Sequence, residues 1–124
     1  MIASLVIYTP ATPISKATTR RVPSRAPSLS AALSSARSVC RAHVQGVVVS
    51  VVVDDTAVWV AVHDESHEGG LRVLVDTVSA RSLEEHERRL DVAALGCDGA
   101  NYRRSLDMLA AAYDREPVVV AVAS

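Results

Sequence analysis

The hydrophobic positions of this chain fall into short runs separated by polar turns. Residues 47–53 form an almost continuous valine run, and after Asp54-Asp55-Thr56 a second apolar run covers 57–62. Two β-branched runs joined by a short polar turn are typical of a β-hairpin. The first run is apolar on both faces, which predicts a strand near the centre of a sheet, covered on both sides.

Other apolar segments predict the remaining strands. Residues 2–8 alternate loosely, and residues 71–76 form an apolar segment directly after a Gly-Gly pair. The valine-rich segment 118–122 follows Pro117, which prevents a preceding helix from continuing. We therefore predict one strand in each segment, with that at 71–76 paired to the second half of the hairpin.

Three segments have apolar residues at helical spacing. Ser28 or Ser30 fits the N-cap of the first helix, and Gly46 fits its end. Ser82 and Glu85 fit a capping box at the start of the second, and Asn101 caps the third. The apolar positions are Leu29, Leu33, Ala36, Cys40 and Val44, then Leu83, His86, Leu90, Ala93 and Ala94, and finally Tyr102, Leu106, Leu109 and Tyr113.

Together these elements predict a single α+β domain over residues 1–124. Its sheet is mainly antiparallel, with four to five strands and three helices in the order β-α-β-β-β-α-α-β. Residues 10–27 contain four prolines, many Ser and Thr residues and four basic residues, with no periodic apolar pattern. This segment is predicted to be a basic loop or arm.

Charge is divided between the two parts of the chain. Residues 1–43 carry six basic and no acidic side chains, whereas residues 44–124 carry seven basic and fourteen acidic ones, for a net charge of −1. This division favours an arm that lies on the acidic body or binds an anionic partner. The basic residues of the arm, candidates for binding nucleic-acid phosphates or an acidic partner, are Lys16, Arg20, Arg21 and Arg25.

One loop resembles a metal site. His63 and His67 are four residues apart, as in the zinc motif HExxH, and both are candidate metal ligands. However, Asp64 stands where that motif has its catalytic Glu, so a solvated surface loop is the favoured interpretation. Asp54 and Asp55 are interpreted in the same way as turn residues rather than as ligands of a divalent ion.

The remaining features place the chain in a cellular context. Cys40 and Cys97 lack the spacing of a metal site, which favours reduced thiols in the cytoplasm. No apolar stretch has the length of a transmembrane helix, so we predict no membrane contact, and no motif indicates a cofactor. Arg outnumbers Lys twelve to one, which is typical of a high-GC genome.

No catalytic signature stands out, and the sequence leans against an enzyme. We favour a small non-enzymatic protein-interaction, regulatory or assembly module, an accessory protein of a high-GC bacterium or phage, with a protein partner or self-association and with Trp59 as a candidate interface residue. The first alternative is a small metal-dependent hydrolase that uses His63 and His67. The second is a nucleic-acid binder that uses the basic arm.

Overall fold

The computed structural model describes residues 3–9, 16, 18–42, 46–96 and 102–115. The elements in chain order are β1 (Ala3–Thr9), β2 (Thr18–Pro23), α1 (Leu29–Ala42), β3 (Val48–Val53), β4 (Thr56–His63), a 3₁₀ turn (Glu68–Gly70), β5 (Leu71–Val75), β6 (Arg81–Ser82), α2 (Leu83–Gly96) and α3 (Tyr102–Arg115). The predicted α+β class is confirmed, with β2 and the two-residue β6 in addition. The strand predicted at 118–122 lies outside the described residues.

The strands pair in the order β2-β1-β3-β4-β5, and β6 pairs with the start of β4 on the side that also holds β5. Every pairing among the described strands is antiparallel. The valine run therefore occupies the central strand, β3, as its two apolar faces predict. Its neighbours place Leu5 and Trp59 on either side of Val51.

Helices cover both faces of this sheet, so the domain has two cores. On one face, α1 packs its buried side chains against alternate residues of β1, β3 and β4. On the other face, α2 and α3 contribute Leu90, Leu109 and Tyr113. These side chains pack against strand residues that point away from α1, among them Val48 and Val60. Because successive side chains of a strand point to opposite faces, a strand buried on both faces must be apolar at nearly every position.

A two-residue turn closes the predicted hairpin. Asp54 and Asp55 have φ angles of 47° and 61°, and Val53 pairs with Thr56 across the turn. Two consecutive residues with positive φ are the signature of a type I′ turn, whose twist matches that of the two strands. Aspartate tolerates this conformation better than most residues. Asp54 and Asp55 are thus turn residues, as predicted.

The structure corrects the prediction of a loop or arm over residues 10–27, because Thr18–Pro23 form strand β2. This strand pairs with β1 from Ser4↔Pro23 to Thr9↔Thr18. Pro23 stands at its end, where the missing N–H does not interrupt the pairing. The physical reason for the strand lies in β1, whose buried backbone groups require hydrogen-bond partners on both sides. The prolines obscured this strand in the sequence.

Side-chain hydroxyls cap two of the helices. The Ala31 N–H donates to Ser28 Oγ at 3.2 Å, and the Glu85 N–H donates to Ser82 Oγ at 3.3 Å. Ser28, rather than Ser30, is therefore the N-cap of α1. Ser82 therefore caps α2, as predicted, and a carboxylate oxygen of Glu85 lies 3.8 Å from Arg88 Nη2.

We expect Ser28→Ala to lower the free energy of unfolding by about 1 kcal/mol, because it removes the side-chain acceptor that caps the start of α1. Ser30→Ala is the matched control, since Ser30 is exposed within the helix and Ala is the better helix former. Urea denaturation of the two variants measures the difference. Equal stabilities would show that the cap contributes nothing in solution.

Candidate functional site

The basic residues of the N-terminal part lie along one edge of the sheet. Strand β2 is the edge strand next to β1 among the described strands, and it carries Arg20 and Arg21. Lys16 precedes it and Arg25 follows it, and all four side chains are exposed. None of the four forms an ion pair within the described residues. We call this surface the basic edge.

The pairing register places the two strand arginines on opposite faces. Arg20 lies opposite Ile7, which packs in the core beneath α1, whereas Arg21 lies opposite Val6. Directly opposed residues of antiparallel strands share a face, so the guanidinium groups project to both sides of the edge. The basic edge therefore combines an exposed strand backbone with positive charge above and below it.

An acidic groove lies at the start of α2, beside the turn that joins β3 to β4. It has a volume of about 380 Å³ and is lined by Asp55, Ser82, Leu83, Glu84 and Glu87. The Leu83 N–H donates to the Asp55 carbonyl at 2.8 Å, which fixes the hairpin turn against the start of α2. The three carboxylates are exposed and form no ion pair within the described residues.

The basic edge and the acidic groove form no ion pair with each other within the described residues. Arg21 pairs with Val6 and Val6 with Ser50, whose hydroxyl is hydrogen-bonded to His86, the neighbour of Glu87 in α2. Two strand spacings, or about 10 Å, therefore separate Arg21 from the strand beneath α2. This separation is similar to the Debye length of about 8–10 Å at cellular salt, so both interpretations of the divided charge stay predictions.

The loop that resembled a metal site gives its two histidines separate protein partners. His63 Nδ1 lies 3.0 Å from the carbonyl oxygen of Cys40, and His67 Nδ1 lies 3.4 Å from the carboxylate of Asp64. Asp64 is buried and accepts hydrogen bonds from the N–H and the hydroxyl of Ser66. No group of three or more His, Cys, Asp or Glu side chains suited to a metal ion occurs in the described ranges. Metal ligation by His63 and His67 stays a prediction.

Glycine and arginine hold the same loop against α1. Gly69 and Gly70 have φ angles of 73° and 76°, in the left-handed region that favours glycine. The Gly69 carbonyl accepts a hydrogen bond of 3.1 Å from Arg41 Nε. This hydrogen bond holds the loop against α1, and Arg41 therefore does not belong to the basic edge.

Trp59, the predicted interface residue, lies in the core of its own chain. Its side chain is only 3% exposed and packs beneath α1. The guanidinium carbon of Arg37 lies 6.0 Å from the ring centroid, at the distance of a cation–π contact. The expectation that Trp59 forms an interface is corrected, because a ring covered by its own helix offers no surface to a partner.

A hydrogen-bonded chain of three buried side chains connects the sheet to α2 and α3. Ser50 Oγ of β3 lies 2.5 Å from His86 Nε2 of α2, and His86 Nδ1 is hydrogen-bonded to the Tyr113 hydroxyl of α3. Arg81 Nη2 donates to the Tyr113 carbonyl at 2.8 Å. Hydroxyls donate or accept as required, so both nitrogens of a neutral imidazole are satisfied.

Burial determines the protonation states of His86 and Tyr113 in this network. It lowers the pKa of His86 from 6.5 to about 4, because water cannot solvate the imidazolium ion. Burial likewise raises the pKa of Tyr113, although the charges of Arg89 and Arg81 oppose that shift. At neutral pH both groups are therefore uncharged, and the network is a neutral one.

A serine hydrogen-bonded to a histidine is an arrangement found in nucleophilic catalysis. Here, however, neither side chain is accessible to solvent. Ser50 and His86 are both 0% exposed, and Tyr113 is 1% exposed. A nucleophile must contact its substrate at near-bonding distance, which requires an open cavity at the hydroxyl. The geometry therefore assigns this network to the core, where it joins β3 of the sheet to α2 and α3 on one face.

One residue of this network stands out in the sequence although the spacing of apolar residues does not mark it. Ser50 is the only polar residue in the valine run, and a hydroxyl buried in a central strand requires a hydrogen-bond partner. The helical spacing did place His86 and Tyr113 on inward-facing positions, and their burial confirms that prediction. The pairing of the three side chains depends on the packing of the layers and cannot be read from spacing within one element.

Cys40 is a buried thiol of α1. Its sulfur lies 3.8 Å from the carbonyl oxygen of Ala61 and 4.0 Å from that of Val47. Burial raises its pKa to about 11, although Arg41 opposes the shift. Such a thiol is a poor nucleophile, since the thiolate is the reactive form. Cys97, the other cysteine, lies outside the described residues.

Comparison with known proteins identifies no relative of this chain. No protein-family model, no curated protein and no solved structure matches the chain. None of the helices in the described part of the chain is long and apolar enough to cross a membrane. The functional argument therefore depends on the surfaces of the molecule itself.

Proposed function

We propose that this protein is a non-enzymatic interaction module that binds an acidic, extended segment of a protein partner along β2. The observation that carries the proposal is the basic edge, where four exposed cations have no ion pair within the described residues. Exposed charges without intramolecular partners are available to a ligand of opposite charge. Regulation or assembly through such a partner is the corresponding cellular role.

An extended segment is the ligand shape that suits an edge strand. Strand β2 uses one edge for β1, and no other described strand pairs with its second edge, whose main-chain donors and acceptors suit strand addition. Arg20 and Arg21 project to opposite faces, so an added strand with acidic residues at successive positions brings a carboxylate to each. Main-chain pairing then supplies affinity, and the charges select an acidic sequence.

Nucleic acid is the second candidate ligand of the same surface. The basic edge would contact phosphates, but β2 consists of Thr, Arg, Val and Pro and provides no aromatic side chain for base stacking. The hydrolase alternative gains no support from the geometry, because the Ser50–His86 pair is sealed and the metal loop lacks a third ligand among the described residues. The protein partner therefore has the stronger argument.

The cellular setting is part of this proposal. A ratio of twelve Arg to one Lys supports an origin in a high-GC bacterium or its phage. The buried thiol of Cys40 suits a reducing cytoplasm, where unpaired cysteines persist. An accessory protein of such a cell is the context in which we expect the partner.

Binding to a labelled peptide of alternating Glu and Thr tests the proposal by fluorescence anisotropy. We expect the double variant R20T/R21T to bind about tenfold more weakly, since two exposed ion pairs contribute up to about 1 kcal/mol each. Threonine keeps the β-branched character of the strand and matches Thr18 and Thr19. R88Q is the control, because Arg88 is an exposed arginine of α2.

Two further ligands separate the alternatives. A peptide of alternating Lys and Thr should not bind, because it carries the charge of the basic edge itself. A single-stranded oligothymidylate that bound more tightly than the acidic peptide, and lost binding in R20T/R21T, would assign the surface to nucleic acid. Equal binding of the acidic peptide by the wild type and R20T/R21T would refute the proposal.

A further inference from the structure

We infer that the partner segment adds to β2 as an antiparallel strand, bound by the main chain of Thr19 and Arg21, and places its acidic side chains opposite Arg20. This inference rests on the proposed function and specifies how the acidic segment is recognised. It gives the two arginines of the basic edge different roles. Arg20 acts through its guanidinium group, whereas Arg21 acts mainly through its main-chain N–H and carbonyl.

One hydrogen bond determines which main-chain groups of β2 point away from β1. The Ser24 N–H donates to the Ala3 carbonyl at 2.9 Å, and Ala3 lies directly opposite Ser24, one step beyond the last pair of the ladder. Opposed residues of antiparallel strands alternate between pairs that exchange both hydrogen bonds and pairs that exchange none. Counted back from Ser24, every second residue therefore faces β1 with its main chain. The residues of β2 between them, whose main chain faces outward, are Thr19, Arg21 and Pro23.

The outward groups suit a short added strand. Thr19 and Arg21 each present an N–H donor and a carbonyl acceptor, whereas Pro23 has no N–H and presents only a carbonyl. No described strand pairs with this edge of β2. Every pairing among the described strands is antiparallel, and antiparallel pairing is slightly the more stable per residue. An added antiparallel strand therefore exchanges its hydrogen bonds with Thr19 and Arg21.

The same geometry brings the side chains of the partner closest to Arg20. Arg20 lies between the two residues that bind the partner's main chain, so the partner residue opposite it forms a pair without hydrogen bonds. The Cα atoms of such a pair are about 4.5 Å apart, against about 5.5 Å in a hydrogen-bonded pair, and its side chains are closer. A carboxylate opposite Arg20 is therefore better placed for an ion pair than one opposite Arg21.

The charges on the two faces of the sheet favour the same register. Arg20 lies opposite Ile7 and projects to the face covered by α1, a helix with two arginines and no acidic residue. Arg21 projects to the face covered by α2, which carries the exposed Glu84 and Glu87. At a separation similar to the Debye length, these carboxylates weaken the attraction for an acidic ligand on their own face.

The expected ligand is an extended segment in which acidic residues alternate with uncharged residues of high β-propensity such as Thr. Successive side chains of a strand point to opposite faces, so this alternation places every carboxylate on the face of Arg20. The uncharged residues then lie opposite Thr19 and Arg21, and their main-chain N–H groups donate to β2. The Glu-Thr peptide has this pattern, and its repeat makes neighbouring registers on the same face equivalent.

N-methylation of the labelled Glu-Thr peptide tests the main-chain contacts by fluorescence anisotropy. One peptide carries the methyl groups on its Thr nitrogens, and the matched control carries the same number on its Glu nitrogens. We expect methylation of Thr to weaken binding at least about tenfold, because each methyl group removes a donor to β2 and leaves its acceptor unpaired. Methylation of Glu should change binding by less than about twofold, because the Glu nitrogens face away from β2.

Substitutions in β2 test the same contacts from the side of the protein. Thr19→Pro removes an outward N–H without removing a donor to β1, and we expect about tenfold weaker binding. Thr19→Val keeps the N–H and is the matched control, which should bind as the wild type does. R20T should weaken binding about fivefold and R21T only about twofold, consistent with the tenfold loss in the double variant. Circular dichroism checks that each variant is folded, and the methylated peptides test the wild type directly if Thr19→Pro is not.

The outcomes separate this inference from the proposed function. Peptide binding that is weakened in R20T/R21T but tolerates methylation of Thr overturns the strand addition and leaves a charge-based binding module standing. A greater loss on methylation of Glu than of Thr overturns the antiparallel direction. A greater loss in R21T than in R20T overturns the assignment of the acidic side chains to the face of Arg20. Absence of binding by the unmodified peptide would remove both proposals together.

Discussion

Replacing Trp59 by alanine is expected to lower the free energy of unfolding by about 3–5 kcal/mol. Trp59 fills the face of the sheet beneath α1 and is only 3% exposed. Its neighbours in that core are mainly Val, Ala and Cys40, which are too small to close the space that the indole leaves. The loss therefore includes a cavity in addition to the transfer of the ring to water. Urea denaturation followed by circular dichroism measures it.

The control is Val78→Ala, because Val78 is 72% exposed and its truncation should change stability by less than about 0.5 kcal/mol. A loss of less than about 1 kcal/mol in Trp59→Ala would contradict the buried position. That result would restore Trp59 as an exposed interface residue, whose removal affects association and leaves the stability of the monomer almost unchanged.

The sheet could be predicted from the sequence where local patterns determine it. The valine run identified the central strand, because a strand covered on both faces must be apolar at nearly every position. The Asp54-Asp55 pair identified the turn, because both residues tolerate positive φ. In each case the residues that form the feature are contiguous, so no information about distant contacts was needed.

Strand β2 could not be predicted because its cause lies elsewhere in the chain. Four prolines across 10–27 and the exposed, basic side chains of the segment are typical of a loop. What makes Thr18–Pro23 a strand is the edge of β1, whose backbone groups are paired by it. An edge strand can be almost wholly polar, so its sequence carries little of the usual alternation.

The candidate site shows the same division. The excess of positive charge in residues 1–43 was evident from composition, but only the fold shows that Arg20 and Arg21 lie on an edge strand of the described sheet, flanked by Lys16 and Arg25. The interpretation of Trp59 as an interface residue failed for a related reason. An isolated tryptophan in an apolar strand has the same sequence pattern whether its own helix or a partner covers it.

Acidification from pH 7 to pH 4 is expected to lower the stability of this protein by about 3 kcal/mol through His86 alone. Burial lowers the pKa of His86 to about 4 in the folded chain, against 6.5 when unfolded. Between these two values the unfolded state binds the proton and the folded state does not. The stabilising contribution is therefore complete above pH 6.5, falls as the pH approaches 4, and changes no further below that.

The charges around the network reinforce this direction. Arg81, which donates to the Tyr113 carbonyl, and Arg89 of α2 both place positive charge near Tyr113. A third positive charge, on the imidazole, is disfavoured there by repulsion as well as by burial. Ser50 and Tyr113 can accept hydrogen bonds from an imidazolium ion, but hydroxyls do not carry a compensating negative charge.

His86→Gln isolates this contribution, because glutamine does not titrate and keeps part of the hydrogen bonding to Ser50 and Tyr113. We expect it to be less stable than the wild type at pH 7, since a buried hydroxyl loses its partner, and to lose less stability on acidification. Carboxylates titrate in both proteins, so the difference between the two pH profiles, measured by urea denaturation, belongs to His86. Parallel profiles for wild type and His86→Gln would mean that His86 reaches water in the folded chain, and that β3, α2 and α3 are not joined through it.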